Sequence, residues 1–361
     1  MLKLSLAHRK VRRAGAALVA AGLALSLVAT AGTAQAASAD RGADWLARQL
    51  SGGTLGHDGY TDYGLTIDAA FAFKAIGGHA SEVQAVRQAL ASNLGSYISG
   101  DSFGDPGSTY AGATAKALVL AQISGADPRS FGGVNLIRRL NGVVTKSGPA
   151  RGRIADVSQF GDFANTLGQV LAVRGLATAR SGYATRARTF LLEQQCRQGY
   201  FRLTFAKPSA KNQSCTRKSA ADPDATSYAV IQLWHTSRGR PAFRAALKRA
   251  AAWLVGQQRK SGSFAGGTST TTPNANSTGL ASWALSSAGR CAPARKASTW
   301  LGGLQIGRQS SGSTLAGQRG AIAYDKATMK AAVRDGITDA TVGTWQRSTA
   351  QAAPALRLHG C

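Results

Sequence analysis

The sequence has 361 residues, a formal net charge of +26 at pH 7 and four cysteines. This length suits one large domain or two ordinary ones, and no stretch rich in Pro or in Gly and Ser divides it. The positive charge favours acidic partners. Nucleic acid is not expected among them, because aromatic and basic residues do not interleave and the chain begins like an exported protein.

The first 36 residues have the features of a secretory signal peptide. A basic segment, MLKLSLAHRKVRR, precedes small apolar residues from Ala14 to Val28, and an A-x-A site follows at 34–36. The alternative is an N-terminal membrane anchor. No later stretch approaches the roughly 20 apolar residues that span a bilayer. We therefore expect a secreted, extracellular protein with a single domain over residues 37–361 and no membrane span.

Removing the signal peptide takes away five basic residues and no acidic ones, which leaves a net charge of +21. Such a charge attracts cell-wall polymers, anionic lipid heads or an anionic small molecule. The alternative is that the basic residues are spread over a solvated surface without one partner. The stretch RGRPAFRAALKR (238–249) fits the solvated face of an outer helix.

Along the chain, a short motif recurs that runs from an aromatic residue through Gln and Gly to a second aromatic residue. The copies in chain order are WLARQLSGG (45–53), ASNLGSYISGDSFG (91–104), VNLIRRLNGVV (134–144), FLLEQQCRQGYF (190–201), WLVGQQRKSGSF (253–264) and WLGGLQIG (300–307). The fourth and fifth copies are sharp, and the others are looser. The recurrence predicts six repeated units.

A polar turn and a second apolar helix follow each copy. The predicted second helices are IDAAFAFKAIG (67–77), YAGATAKALVLAQI (110–123), FANTLGQVLAV (163–173), PDATSYAVIQLW (223–234), NANSTGLASWAL (274–285) and ATVGTWQRSTAQAAPAL (340–356). Apolar residues recur at helical spacing, and no alternating strand pattern is convincing. One helix pair cannot bury its apolar face alone, so the six pairs must stack, either as an open solenoid or as a closed ring.

The aromatic–Gln–Gly–aromatic motif resembles the QW repeat of squalene–hopene and oxidosqualene cyclases, and it is similar to the repeats of protein prenyltransferase β-subunits. The usual final Trp is Phe in both sharp copies. The resemblance implies an all-α fold, an (α/α)6 toroid in which inner helices surround a central cavity and outer helices enclose them. Within this fold, Gln194 and Gln257 are expected to bond the backbone of a neighbouring turn, and Gly199 and Gly262 to permit the tight turn.

The helix NANSTGLASWAL is also similar to the repeat helices of transcobalamin and intrinsic factor, which are toroids that carry corrinoids. Those proteins add a small β domain that encloses the ligand, and no such domain is found in this sequence. The resemblance implies a corrinoid as a possible bound ligand. No other cofactor is expected.

The stretch DPDATS (222–227) resembles the D-x-D-D-T motif of class II terpene cyclases, in which an aspartic acid protonates an alkene or epoxide. Ala225 stands where that motif has another Asp, so the cluster that tunes the acid is incomplete. The next repeat has Asn274 and Asn276 at the positions of Asp222 and Asp224. Asp and Asn both cap helix N-termini, which favours a repeated cap over a surviving acid. The same capping role is predicted for Asp68 and Asn165.

The residues that metal-dependent catalysis would need are missing from the sequence. No Asp-Asp pair is present for the magnesium site of prenyl diphosphate chemistry, and no pair of histidines in residues 37–361 has metal-ligand spacing, so no metal site is expected. The loop GHDGYTDYG (56–64) offers candidates for the base of a polysaccharide lyase or for sugar stacking, namely His57, Tyr60 and Tyr63. The alternative is an ordinary polar turn with aromatic residues folded over the core.

The even number of cysteines in an exported chain predicts two disulfides, for which three pairings are possible. We predict Cys196–Cys215, which closes a local loop, and Cys291–Cys361, which ties the last residue to the body of the domain. No C-x-x-C is present, so neither a redox motif nor a zinc knuckle is indicated.

A toroid without its catalytic groups is expected to bind something in its cavity. We therefore predict a monomer that captures a small ligand, corrinoid-like or terpenoid, outside the cell and without catalysis. The alternatives are an enzyme of the terpene cyclase or polysaccharide lyase type, with Asp224 as the acid in the former, and a basic module that binds cell-wall polyanions. The predicted cavity residues, taken from helix-start positions, are Tyr60, Tyr63, Tyr110, Phe163, Asp224, Asn276 and Trp345.

Overall fold

The computed structural model describes residues 36–361, so the predicted signal peptide lies outside the described residues apart from Ala36. The helices are α1 (36–49), α2 (Tyr63–Ile76), α3 (Ala80–Ser92), α4 (Leu94–Ile98), α5 (Ala111–Ile123), α6 (Leu136–Gly142), α7 (Thr166–Thr178), α8 (Ala184–Glu193), α9 (Pro223–Leu233), α10 (Pro241–Gln257), α11 (Ala275–Ser287), α12 (Cys291–Gly302), α13 (Lys326–Asp335) and α14 (Asp339–Arg357). A short antiparallel hairpin, β1 (Gly56–His57) and β2 (Tyr60–Thr61), precedes α2.

Six helices form a closed inner ring, because each packs against the next and the last packs against the first. In order around the ring they are α2, α5, α7, α9, α11 and α14. They correspond to the six predicted second helices. The helices between them in sequence pack on the outside, as α8 does on α7 and α10 does on α9. The predicted (α/α)6 toroid is confirmed.

The two rings differ in which side chains they bury. The inner helices are enclosed by neighbours on most sides, so α5 buries consecutive residues from Ala117 to Ala121. An outer helix buries only one stripe, which in α10 includes Phe243, Leu247 and Leu254. This is the pattern expected when one helix lies in a core and the other borders solvent. In the described chain no helix is long and apolar enough to cross a membrane.

Glutamines join each of three successive units to the outer helix of the next unit. Gln258 Nε2 donates to the carbonyl of Gly262 in its own turn and to the carbonyl of Pro293 in α12, at 3.0 and 2.8 Å. Gln195 makes the same two bonds one unit earlier. Gln305 makes them one unit later, where its second acceptor lies in α1. The third contact closes the ring.

The prediction that Gln194 and Gln257 make these bonds was wrong by one residue. Gln194 is buried and accepts hydrogen bonds from the guanidinium of Arg202, whereas Gln257 is exposed. Both sharp motif copies carry two adjacent glutamines at the point where the outer helix ends, and the two side chains have different partners. The motif alone therefore did not identify which glutamine faces the next unit.

The predicted role of the motif glycines is confirmed. Gly199 and Gly262 have φ of 110° and 97°, which L side chains rarely adopt. A Cβ on Gly262 would also lie 2.5 Å from the carbonyl oxygen of Lys296 in α12. Glycines of other units press against a neighbouring outer helix in the same way, and these are Gly53, Gly152 and Gly320.

Both predicted cysteine pairs lie at disulfide distance. The Cα atoms of Cys196 and Cys215 are 5.0 Å apart, and those of Cys291 and Cys361 are 5.3 Å apart. The second pair holds the chain end against the start of α12, beside the C-terminal end of α11.

The glutamine contacts predict different effects for two adjacent substitutions. Gln258→Ala removes one hydrogen bond within its own turn and one to the next unit and leaves their carbonyl groups unpaired, so the free energy of unfolding should fall by about 1–3 kcal/mol. Gln257→Ala is the matched control, and it should change stability by less than about 0.5 kcal/mol because its side chain is exposed. Urea unfolding measures both, and equal losses would contradict the assignment.

Candidate functional site

The inner ring encloses a cavity of about 560 Å³, which we call the central cavity. Its walls include first-turn residues of four inner helices, Gly112, Leu167, Asp224 and Asn276, so it lies toward the N-terminal end of the ring. Small-molecule sites in proteins are commonly clefts of about 300–1,000 Å³. The central cavity is therefore large enough for a small organic ligand.

Aromatic and aliphatic side chains form much of the cavity wall. Phe71 comes from α2, Tyr228 from α9, and Leu280 and Trp283 from α11. Tyr97 reaches the cavity from α4. Burial raises the pKa of Tyr97 and of Tyr228, and the Asp68 carboxylate raises both further. Both phenols thus stay protonated and can donate hydrogen bonds to a ligand.

Charged groups in the cavity are held by partners. Lys116 Nζ lies 2.7 Å from Asp68 Oδ1, and this pair joins α5 to α2. Arg347 of α14 donates to the Oδ2 atom of Asp62 at 2.8 Å. Asp156 accepts hydrogen bonds from two backbone N–H groups, and burial nevertheless raises its pKa. These contacts fix polar groups around an otherwise apolar space.

The two aspartates of DPDATS have different roles. Asp222 is the N-cap of α9, and its Oδ1 accepts from the backbone N–H of Ala225 at 2.7 Å. Asn274 caps α11 in the same way by accepting from Ser277 N at 2.8 Å. The repeated-cap interpretation is confirmed for this pair. Asp224 lies in the first turn of α9 and lines the central cavity instead.

Asp224 is an incompletely satisfied carboxyl group. Its Oδ2 accepts from Ser277 Oγ at 3.2 Å, and its Oδ1 is buried without a hydrogen-bond partner among the described residues. Burial raises the pKa of Asp224 to about 6, although the bond from Ser277 lowers it. Asn276 holds the corresponding position of α11 and accepts from Ser348 Oγ at 2.9 Å. Asp224 thus places an acidic group with a raised pKa and an unpartnered oxygen beside an aromatic wall.

The predicted capping residues of two other inner helices give one success and one error. Asn165 caps α7 by accepting from the N–H groups of Leu167 and Gly168. Asp68 is not a cap, because α2 begins five residues earlier and its cap is Asp62. The predicted start of this helix at residue 67 was too late. As a result, the predicted cap lies in the second turn of α2 and pairs with a lysine.

Four of the seven predicted cavity residues line the central cavity, namely Tyr110, Phe163, Asp224 and Asn276. The side chain of Tyr60 is 61% exposed on β2, and Tyr63 begins α2 with its ring 6.4 Å from that of Tyr97. Neither is part of the cavity wall. His57 lies beside Tyr60, with ring centroids 6.3 Å apart, and is likewise outside the wall.

Trp345 is the other predicted cavity residue outside the wall, and it lies in the core with 1% of its surface exposed. Arg347 is the α14 residue that faces the cavity at this level. A shift of two residues turns a helix by about 200°, so the tryptophan points away from the cavity. The helix-start rule located the correct turn and selected the wrong side of it.

Several functional candidates were missed in the sequence, and these are Asp68, Lys116, Tyr228, Trp283 and Arg347. Two of them carried a usable signal. Asp68 and Lys116 are charged residues in the middle of largely apolar helices. In a ring of buried helices, such a residue can reach a polar environment only at the cavity or through a partner.

Among residues 36–361, no group of three or more His, Cys, Asp or Glu side chains is placed to hold a metal ion.

Neither protein-family models nor curated proteins match this sequence, but solved structures do. A protein from Actinoplanes is 18% identical with a TM-score of 0.59, covering 90% of this chain and 99% of its own. A type II terpene cyclase from Scytonema, in complex with geranylgeranyl dihydroxybenzoate as substrate, is 14% identical with a TM-score of 0.56, covering 90% and 99%. An unsaturated glucuronyl hydrolase specific for heparin is 11% identical with a TM-score of 0.60, covering 90% and 96%. These similarities establish the toroid fold that the chain shares with them.

The raised pKa of Asp224 predicts a specific dependence of stability on pH. Between about pH 4 and 6 the folded protein holds a proton that the unfolded chain releases, so stability falls as the pH rises through this window. Asp224→Asn removes this loss. The variant should gain on the order of 2–3 kcal/mol relative to the wild type between pH 4 and pH 7. Urea unfolding at several pH values measures the difference, with the exposed Asp58→Asn as control. Parallel profiles for the wild type and Asp224→Asn would contradict the assignment.

Proposed function

We propose that the central cavity binds a small organic molecule with a largely apolar body, and that the protein captures this molecule outside the cell without converting it. The observation that carries the proposal is an aromatic-walled cavity in which polar groups are fixed by ion pairs and backbone contacts. Sites for small organic ligands commonly combine these two features.

The ring supports binding more directly than catalysis. The stretch DPDATS resembles the D-x-D-D-T motif, but only one of its carboxyl groups, that of Asp224, lines the cavity. The matching position of the next repeat is Asn276, which has an amide instead. Related toroids hold organic ligands of this general kind, since the Scytonema cyclase has been solved with merosterolic acid A as product. Terpenoid and corrinoid molecules are therefore the first classes to test. Export and a bound corrinoid remain predictions from the sequence.

Filling the central cavity tests the proposal. Ala113 lines the cavity, so Ala113→Phe should occupy ligand space, whereas Ala252 is exposed on α10 and Ala252→Phe is a matched control. A ligand at about 100 times its Kd stabilises a protein by about 2.7 kcal/mol. In a panel of corrinoid, terpenoid and glycan compounds, one class should raise Tm for the wild type and the control. The shift should be lost in Ala113→Phe. No shift for any compound would contradict the proposal.

A second candidate function is acid catalysis in the same cavity, and it is favoured by the raised pKa and the unpartnered Oδ1 of Asp224. A carboxylic acid with a pKa near 6 can deliver a proton to a bound alkene or to a glycosidic oxygen. In that case Asp224→Asn should abolish turnover while ligand binding persists. Measurement of product formation with the class of compound that binds decides between the two functions. Turnover that survives in Asp224→Asn would reject the acid role.

Binding of anionic cell-wall polymers stays a prediction from the net charge. Attraction between exposed charges is screened over about 10 Å at 0.1 M salt. Binding to such polymers should therefore weaken strongly as salt is raised. Co-sedimentation with cell-wall material at increasing salt concentration measures this dependence, and binding that persists unchanged in high salt would reject an electrostatic partner.

A further inference from the structure

A second cavity, of about 420 Å³, lies at the C-terminal end of the inner ring, and we call it the C-terminal pocket. It is lined by the last turns of inner helices, by the residues that follow them and by the chain end. It shares Phe71, Gln232 and Trp283 with the central cavity. The two spaces therefore lie back to back, with these three side chains in the wall between them.

The C-terminal pocket differs from the central cavity in charge. Lys74, Arg174, His235 and His359 all line it, and none of its lining residues is Asp or Glu. The central cavity instead has three aspartates with one lysine and one arginine. The central cavity thus has charged side chains of both signs, whereas the C-terminal pocket has cations, Lys74 and Arg174, and no acidic side chain.

Arg174 is the decisive residue. It is largely buried, and its guanidinium donates to Gln232 Oε1, a neutral acceptor. Among residues 36–361 it has no carboxylate within ion-pair distance. Burial lowers the pKa of Arg174, which reflects the cost of holding this charge away from water. A buried cation normally has a partner of opposite charge.

Helix dipoles do not account for this arginine. Lys74 lies in the last turn of α2, where a cation is favourable next to the free carbonyl groups. Arg174 lies before the last turn of α7, which contains no basic residue. Burial and neighbouring arginines lower the pKa of His235, and burial and Arg357 lower that of His359, so both imidazoles are favoured in the neutral form. The cations of the pocket are therefore Lys74 and Arg174. The charge of Arg174 is therefore balanced neither by a carboxylate nor by a helix C-terminus.

We propose that the C-terminal pocket is an oxyanion-binding site, in which Arg174 and Lys74 bind a phosphate, sulfate or carboxylate group. Guanidinium groups suit such anions because their N–H donors match the spacing of two oxygens. The anion is either a free ion or the charged end of an organic molecule whose body lies along the shared wall. The site is separate from the central cavity, so the proposal stands whether or not the central cavity binds its own ligand.

Calorimetric titration with inorganic phosphate at pH 7.5 tests the site. Arg174→Gln keeps a polar side chain near Gln232 and removes the charge, so phosphate affinity should fall about tenfold or more. Arg129→Gln makes the same change at an exposed position outside the pocket and should leave affinity unchanged. Lys74→Gln is a second variant, at an exposed helix end, in case Arg174→Gln fails to fold. It should weaken phosphate binding several-fold.

A parallel titration with n-octyl phosphate distinguishes the two sources of the anion. Affinity far above that of inorganic phosphate, still dependent on Arg174, would identify the charged end of an organic ligand. Equal affinities would identify a free anion. The proposal is overturned if the wild type binds neither probe at millimolar concentration, or if well-folded Arg174→Gln and Lys74→Gln variants bind both as the wild type does.

Discussion

The close approach of each turn to the outer helix of the next unit is the constraint on which the ring depends. At the closing contact, a Cβ on Gly320 would lie 1.9 Å from the carbonyl oxygen of Arg41, so only glycine permits it. Gln305, in the turn that follows α12, then donates to carbonyls on both sides of the joint. The second unit solves the same problem differently, since Arg139 of α6 donates to the Ser108 carbonyl at 2.7 Å. Repetition of these joints fixes the inner helices side by side.

This constraint also creates the two ends of the ring. The first turns of four inner helices line the central cavity, whereas residues at or near the C-terminal ends of inner helices line the C-terminal pocket. Capping residues such as Asp222 and Asn274 satisfy backbone groups at the first end, which leaves neighbouring positions such as Asp224 free to face the cavity. Basic residues collect at the second end. The contrast in charge follows from the topology together with a few side chains.

The repeat predicted six stacked helix pairs, because the copies are visible in the sequence and each pair must share its apolar face with its neighbours. The closed ring was predicted from the resemblance of the motif to the cyclase repeats. Caps were predictable where two repeats could be compared, as for Asp222 and Asn274. Which neighbouring residue faces a given partner was not predictable. Gln257 and Gln258 are adjacent, and Trp345 and Arg347 are two positions apart, yet the members of each pair have different surroundings. The partners of Asp68 and Arg174 come from distant helices. The burial that raises the pKa of Asp224 is likewise a property of the assembled ring rather than of DPDATS.

The most direct test of the account is native mass spectrometry of the protein purified from its own culture medium, before and after mild denaturation. If the ring captures a small molecule, the folded protein should carry a reproducible extra mass that is released on unfolding. That mass would also identify the class of ligand. A folded protein that shows only the mass of its chain with two disulfides, in every preparation, would contradict capture as its role.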